Sequence, residues 1–407
     1  MNAVKECEAD RRSRPWRVVV AGGLVMGLAL GVRHAQGIFL LPVTLDHGWP
    51  REAFGFALAV QNLVWGLAQP VTGMVADRFG SRRVVIGGLL CYAAGLLLMS
   101  RAPTPVAFTL SAGLCIGMGL SGTAFGTVYG ALSRLVAPVQ RSWALGMAGA
   151  VGGLGQFIVL PASQGLIASL GWAGALAALG LACALLLPCA KPLDDRPAAA
   201  PPGRQRLSSA LREAFGHRGF WLLNLGFLAC GFQLAFIAAH LPAYVLDRGL
   251  PARHAVAGLA LVALANVAGT YVLGALGGRH RRKHLLAGVY LARSLAMAAF
   301  VLLPLSPWSL YAFCAVMGFL WLGTVPLTNG LVSQVFGVQY IATLFGFVFF
   351  GHQLGAFLGV WLGAAVFDAT RSYDAIWLAG IGLGLLAALL HWPIDDRPLV
   401  RAAPAAA

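Results

Sequence analysis

Charge is scarce in this chain, and acid scarcer still: 11% of its 407 residues are Asp, Glu, Lys or Arg, and only 14 are acidic. Soluble domains carry about 25% charged residues, and a chain with 59% hydrophobic residues cannot hide that much apolar surface from water. A soluble fold is excluded. Cysteine is sparse as well. Of the seven, Cys91, Cys115, Cys183, Cys230 and Cys314 fall inside apolar runs, Cys189 at the end of one and Cys7 near the start of the chain, with no C-x-x-C pair. That spacing supports neither a disulfide framework nor a metal site. G-x-S-x-G, H-E-x-x-H and phosphate-loop patterns are missing, and the histidines lack metal-ligand spacing, so no enzyme activity, cofactor or metal is expected.

Apolar runs fill the chain instead. A helix needs about 20 mostly apolar residues to cross a hydrocarbon core of about 30 Å. Runs of that kind lie near 17–42, 53–74, 84–100, 105–131, 143–168 and 171–190, and again near 219–246, 253–278, 284–304, 307–331, 339–367 and 374–393. They are continuously apolar, whereas a barrel strand alternates over about 10 residues. The expectation is an all-α membrane protein with twelve transmembrane helices. When the first residue is placed inside, nearly all Lys and Arg fall on that same side. Only Arg51, Arg101, Arg248, Arg253 and Arg371 reach the other, while Arg33 and Arg293 lie within runs. This bias predicts cytoplasmic termini. The first 16 residues are polar and the run after them is too long for a signal h-region, so that run is read as the first span. The net charge of +15 sits in short loops at membrane ends, which points to topology and anionic headgroups rather than to nucleic acid.

The longest hydrophilic stretch, 191–218, contains KPLDDRPAAAPPGRQRL and divides the runs six and six. The chain thus reads as a cytoplasmic tail 1–16, a six-helix bundle 17–190, a flexible cytoplasmic linker 191–218, a second bundle 219–394 and a cytoplasmic tail 395–407. The halves match. Gly31, Ala35, Leu41 and Pro42 align with Gly231, Ala235, Leu241 and Pro242; Gly117, Gly122 and Thr123 with Gly318, Gly323 and Thr324; Gly146 and Gly155 with Gly346 and Gly355. Duplicated halves mark transporters that bind substrate near the midplane between repeats and rock one against the other.

Between the second and third runs lies GMVADRFGSRR, from Gly73 to Arg83. Gly73 permits close packing and Gly80 a tight turn, while Arg78, Arg82 and Arg83 anchor the loop at the membrane surface. The segment resembles the signature loop of the major facilitator superfamily, G-x-x-x-D-R-x-G-x-R-R, in its usual place. The resemblance implies two pseudo-symmetric six-helix bundles and a conformational switch in which Asp77 engages the end of a helix from the other half. GALGGRHRRK, from Gly274 to Lys283, is a degraded copy with Gly278 where Asp77 would be, so a one-sided clamp is expected. GVRHAQGIFLLPV and GWPREAFGFALAVQNLVWGLAQPVTG further resemble the monocarboxylate and oxalate/formate porter branch. The eighth run, Val256 to Gly277, departs from that branch: it carries only Asn266 where the animal members carry an Asp/Arg pair.

An ionisable residue deep in a span marks function by default. Arg33 lies about 24 Å into the first run, and no acidic residue lies deep in any run. Its countercharge must come from backbone dipoles, water or a bound anion, and a guanidinium suits a carboxylate. Arg33 is therefore the expected anchor of a small anionic substrate; the alternative is a structural partner of carbonyls near the outer interface. Gln36 lies one turn on. Gln233, the counterpart of Arg33 in the second half, is expected to face it, with His240 and Tyr244 on the same helix face. Gln61, Trp65 and Gln69 form a stripe in the second run, and Asn329, His352 and Gln353 complete the polar set. These are equally readable as interhelix hydrogen bonds. Arg293, in a span that is peripheral in the superfamily, is read as interhelix support in preference to a functional charge. Gly146, Gly149, Gly153 and Gly155 read as close helix packing. Proton coupling would fall to His34, His240 or His352.

The whole describes a secondary transporter moving a small, monocarboxylate-like organic anion as a monomer in a bacterial inner membrane, with proton symport read in preference to anion exchange or facilitated diffusion. The alternative within transport is efflux of neutral or anionic drugs and metabolites. The alternative of another class is a non-transporting receptor or scaffold on the same fold.

Overall fold

The computed structural model describes residues 2–49, 51–195 and 205–399; the remainder of the expected linker and of the C-terminal tail lies outside the described residues. Ten helices among those described are long and apolar enough, by length and composition, to cross a membrane. One of these runs, Pro138–Leu193, turns at Gly171, whose φ of 71° is open to glycine, and so supplies two spans. The twelfth, Arg51–Phe79, falls short in apolarity because it carries Gln61, Asn62, Gln69 and Asp77. It lies between the two halves, where those groups meet protein instead of lipid.

The spans are α1 (Asn2–Ala35), α2 (Arg51–Phe79), α3 (Ser81–Met99), α4 (Pro105–Leu135), α5 (138–170) and α6 (171–185), then α7 (Arg218–Asp247), α8 (Ala252–Leu276), α9 (Arg282–Leu302), α10 (Pro307–Phe336), α11 (Ile341–Thr370) and α12 (Asp374–His391). A short helix, Leu207–Gly216, leads into α7. The expected first span ends early. At Ala35 the chain passes into a 3-10 turn, Gln36–Phe39, and a short helix, Leu40–His47.

Each half repeats one packing scheme. In the first, α1 lies along α5, α4 sits against α2 and α3, and α6 covers α3; in the second, α7 lies along α11, α10 against α8, and α12 along α9. The halves meet along α2–α11 and α5–α8. The glycines matched in sequence occupy matched crossings. Gly155 abuts Gly27 of α1, and Gly355 abuts the backbone of Leu228 in α7. Gly146 abuts Gly274 across α5–α8, and Gly346 abuts Gln69 and Pro70 across α2–α11. Lipid supplies no hydrophobic drive between helices, so backbone approach through small residues supplies the contact. A side chain at these positions would collide with main chain.

Two spans are broken. α4 contains a π-helical stretch, Thr109–Cys115, and an extended residue, Ala124, while α10 is interrupted between Phe319 and Thr324. Backbone groups freed inside a membrane must find partners. Arg293, fully buried in α9, donates from Nε and Nη2 to the carbonyl of Leu320 and from Nη2 to that of Trp321, while Asn266 in α8 accepts from the Leu322 amide at 3.0 Å. Arg293 is thus the support of the α10 break. Arg293→Gln should leave buried carbonyls without donors at about 1–3 kcal/mol each. The expected result is a melting temperature several degrees lower with the apparent substrate affinity unchanged, read by thermal unfolding and by ligand titration.

Candidate functional site

Where the halves meet, a cavity of about 140 Å³ opens between α1, α2, α4 and α5 on one side and α7, α10 and α11 on the other. Most of its wall is apolar: Leu30, Phe125, Leu234, Trp321, Val325 and Phe349, with the indole of Trp65. Its polar groups are Arg33, His34, Gln156, His352 and Gln353, and no acidic residue among the described ones lines it.

Arg33 and His34 form the last turn of α1, just before the helix gives way to the 3-10 turn. The partial negative charge of a helix C-terminus favours cations there. The guanidinium donates from Nη2 to Asn62 Oδ1 and stands 5.2 Å from the centre of the Trp65 ring. Trp65 is fixed in turn, its indole N–H donating to Gln69 Oε1 at 3.0 Å and its ring packing on Phe349. Among the described residues, Arg33 has neutral partners only. Across the cavity His352 stacks on Phe349 with an interplanar angle of 8°. Beside it the Gln353 amide nitrogen is buried without a hydrogen-bond partner.

The expected site residues divide. Arg33, His34, Trp65, His352 and Gln353 line the cavity; Gln36, Gln61, Gln233, His240, Tyr244 and Asn329 do not. Gln61 donates to the Ala112 carbonyl at 2.8 Å, where the π-helical stretch of α4 frees an acceptor. Gln233 does not face Arg33. Its amide donates at 2.9 Å to the carbonyl of Gly380 in α12, because its face of α7 packs inside the second bundle. His240 binds the Val360 carbonyl at 3.0 Å, and Tyr244 packs among Phe300, Tyr373 and Trp377. Asn329 accepts from Ser133 of α4 at 3.1 Å, an inter-bundle bond away from the cavity. Gln36 is buried in its 3-10 turn. Gln156, which directly follows Gly155 in α5, was not among the expected residues. Its position amid packing glycines masked it, though it is the one strongly polar residue on that stretch of α5.

A second constellation joins the halves at the basic end of α2. Asp77 is buried, and its carboxylate accepts from the amides of Ala342 at 3.2 Å and Thr343 at 2.7 Å and from the Thr343 hydroxyl at 2.6 Å. These groups form the first turn of α11, where helix N–H groups lack partners and a carboxylate is favoured. Arg134 of α4 pairs with Asp77 on one side and with Asp195 on the other, and Asp195 also accepts from Ser81. Gly73 lets α2 touch the backbone of Ala342, and Gly80 has a φ of 91° at the turn into α3. Arg82 pairs with Asp194 at 3.1 Å, whereas Arg78 and Arg83 are exposed. At the pseudo-equivalent corner Gly274 abuts Gly146 and Gly278 approaches Ser142; the crossing there is hydrogen-bonded, with Arg282 donating to Ser142 at 2.7 Å. Arg281 pairs with Asp396 through two bonds and holds its carboxyl below the usual range.

Comparison with known proteins places this geometry. Residues 19–360 match the Major Facilitator Superfamily. Relatives include Monocarboxylate transporter 11 of Homo sapiens, 28% identical over 92% of this chain and 82% of the relative, and the Oxalate:formate antiporter of Oxalobacter formigenes, 23% identical over 86% and 84%. The uncharacterized MFS-type transporter YcxA of Bacillus subtilis (strain 168) is 24% identical over 90% of this chain and 91% of its own. Among solved structures, the E. coli fucose:proton symporter superimposes with a TM-score of 0.72 at 16% identity, covering 93% of this chain and 97% of that one. The proton:xylose symporter XylE superimposes with a TM-score of 0.70 at 16% identity, covering 95% and 98%. By sequence and by fold, then, the chain is an integral membrane transporter, not an enzyme, and belongs to the major facilitator superfamily.

Proposed function

We propose that this transporter moves a small, monocarboxylate-like organic anion by alternating access, with Arg33 as the anchor of the carboxylate. The observation that carries the reading is a guanidinium on the wall of a central, mostly apolar cavity lined, among the described residues, by no acid. Taking a charge out of water is costly unless it is paired. The α1 C-terminus, Asn62 and Trp65 compensate it in part, and a carboxylate would complete the neutralisation with charge-assisted hydrogen bonds. About 140 Å³ admits a molecule of a few heavy atoms, given that a water occupies about 30 Å³ in the liquid. The names of the monocarboxylate and oxalate/formate relatives agree with that chemistry.

The polar groups around the anchor take distinct parts in this reading. His34 and His352 are the histidines at the cavity wall and so the coupling candidates, while His240 is engaged by a carbonyl. A histidine that gains a proton as the anion arrives would give the loaded cavity the same net charge as the empty one, so that the two states cross the membrane with equal charge. The Asp77 network holds the basic face shut, and the basic face is cytoplasmic by the positive-inside rule. Rocking about α2–α11 and α5–α8 would break those contacts and expose the cavity to the other side. The transporter works as a monomer in the bacterial inner membrane. In proteoliposomes, an inward proton gradient should raise initial uptake of a labelled small monocarboxylate several-fold, and a protonophore should remove the increase. Uptake indifferent to the gradient would contradict the coupling and leave anion exchange or facilitated diffusion.

A further inference from the structure

At the basic end of α2 lies a second cavity, of about 550 Å³, far from the central one. Its floor is apolar, made by Met74, Val75 and Phe79 of α2 and Leu207 of the short helix before α7. Two guanidiniums stand at it. Arg78 comes from the signature loop and Arg206 from the linker; both are exposed, and neither has an acidic partner among the described residues. The third wall is the turn between α10 and α11, where Tyr340 and Gln339 donate to the Gln205 carbonyl at 2.8 Å and 2.9 Å.

Three further features converge there. Arg206 is the N-cap of helix Leu207–Gly216, whose first turn has neither a side-chain cap nor an acidic residue, so its amides are open to an anion. Below the cavity Leu67, Val71 and Val75 are exposed along one face of α2 at intervals of one turn, an apolar track running from the headgroup level toward the bilayer centre. The cavity's height is fixed too, since it sits where the basic residues concentrate, at the membrane surface.

We infer that this cavity is a binding site for an anionic phospholipid, whose headgroup phosphate is held by Arg78, Arg206 and the Leu207 helix start, and whose acyl chain lies on the Leu67–Val71–Val75 track. The occupant is a lipid and not a free anion because the charged rim opens onto an apolar floor and track. Its walls come from α2 in one half and from the linker and the α10–α11 turn attached to the other. The Asp77 contact to Ala342 and Thr343 lies beside the same turn. The lipid therefore binds the form in which the basic face is closed and favours it.

The test uses the purified full-length protein in detergent, with dihexanoyl phosphatidylglycerol, dihexanoyl phosphatidylcholine and glycerol phosphate as separate ligands and thermal unfolding as the readout. Each guanidinium near an anionic headgroup contributes roughly fivefold in affinity, so the anionic lipid should bind about 25-fold more tightly than the zwitterionic one. R78Q/R206Q should erase that preference, and the single variants R78Q and R206Q should each cut it several-fold if the double variant does not fold. R253Q, which removes an exposed charge from the opposite face, should keep it. Equal stabilisation by both lipids, a preference that survives R78Q/R206Q, or stabilisation by glycerol phosphate matching that by phosphatidylglycerol would overturn the inference.

Discussion

Arg33→Gln is expected to abolish carboxylate uptake while leaving a folded protein. Glutamine keeps a donor within reach of Asn62 but removes the charge. A desolvated charge pair that loses one partner costs about 2–5 kcal/mol, which corresponds to a loss of roughly 30-fold to several-thousand-fold in apparent affinity. Folding should survive because the guanidinium bonds to one neutral side chain and an indole face, with no ion pair to break. Arg33→Lys should retain part of the uptake: the charge stays, but the planar fork that matches a carboxylate is lost. Uptake in proteoliposomes, normalised to reconstituted protein, reads both variants. Near-normal uptake by Arg33→Gln would remove the anchor.

The second large effect is expected at Asp77. Asp77→Asn breaks the pair with Arg134 and turns an amide donor toward the N–H groups of Ala342 and Thr343. Removing one partner of a buried pair costs about 3–5 kcal/mol, enough to shift a two-state equilibrium by more than a hundredfold. The cost falls on the form in which α2 touches α11, so the basic face should open. A cysteine introduced at Ser133, which is fully buried against Asn329 when that face is closed, should become reactive to a soluble thiol reagent, and net uptake should fall. Asp194→Asn, which weakens a partly exposed pair with Arg82, should move neither reading appreciably. Unchanged labelling at position 133 in Asp77→Asn would mean that this network does not hold the face closed.

The fold was legible because the membrane makes few demands and states them locally. Helix number follows from apolar length. The repeat follows from glycines that recur because backbones must touch at equivalent crossings; Gly155 and Gly355 are at such a pair. Arg33 was legible for a similar reason, since a lone charge deep in an apolar run has few places to go. Asp77 stood out through the spacing of its loop.

What sequence withheld was azimuth. The spacing of Gln233, His240 and Tyr244 correctly puts them near one another on α7, but spacing does not tell which neighbour that side of the helix meets. Here it meets α11, α12 and the aromatic cluster of Tyr373 and Trp377. Gln61 and Asn266 serve breaks in α4 and α10 that no periodicity announces. Apolar wall residues such as Phe125, Trp321 and Phe349 carry no mark distinguishing cavity from core. Arg134 and Asp195, which complete the basic-face network, read in sequence as ordinary surface charges because their partners are far along the chain.

The chemistry of the central cavity is tested most directly by matched ligands that differ only in charge. Propionate and propionamide are nearly isosteric, and a ligand raises the melting temperature of the state it binds. Propionate should stabilise the detergent-purified protein in a saturable way, propionamide should not, and Arg33→Gln should lose the response to the acid. Equal stabilisation by acid and amide, or an acid response intact in Arg33→Gln, would contradict a carboxylate held by that guanidinium.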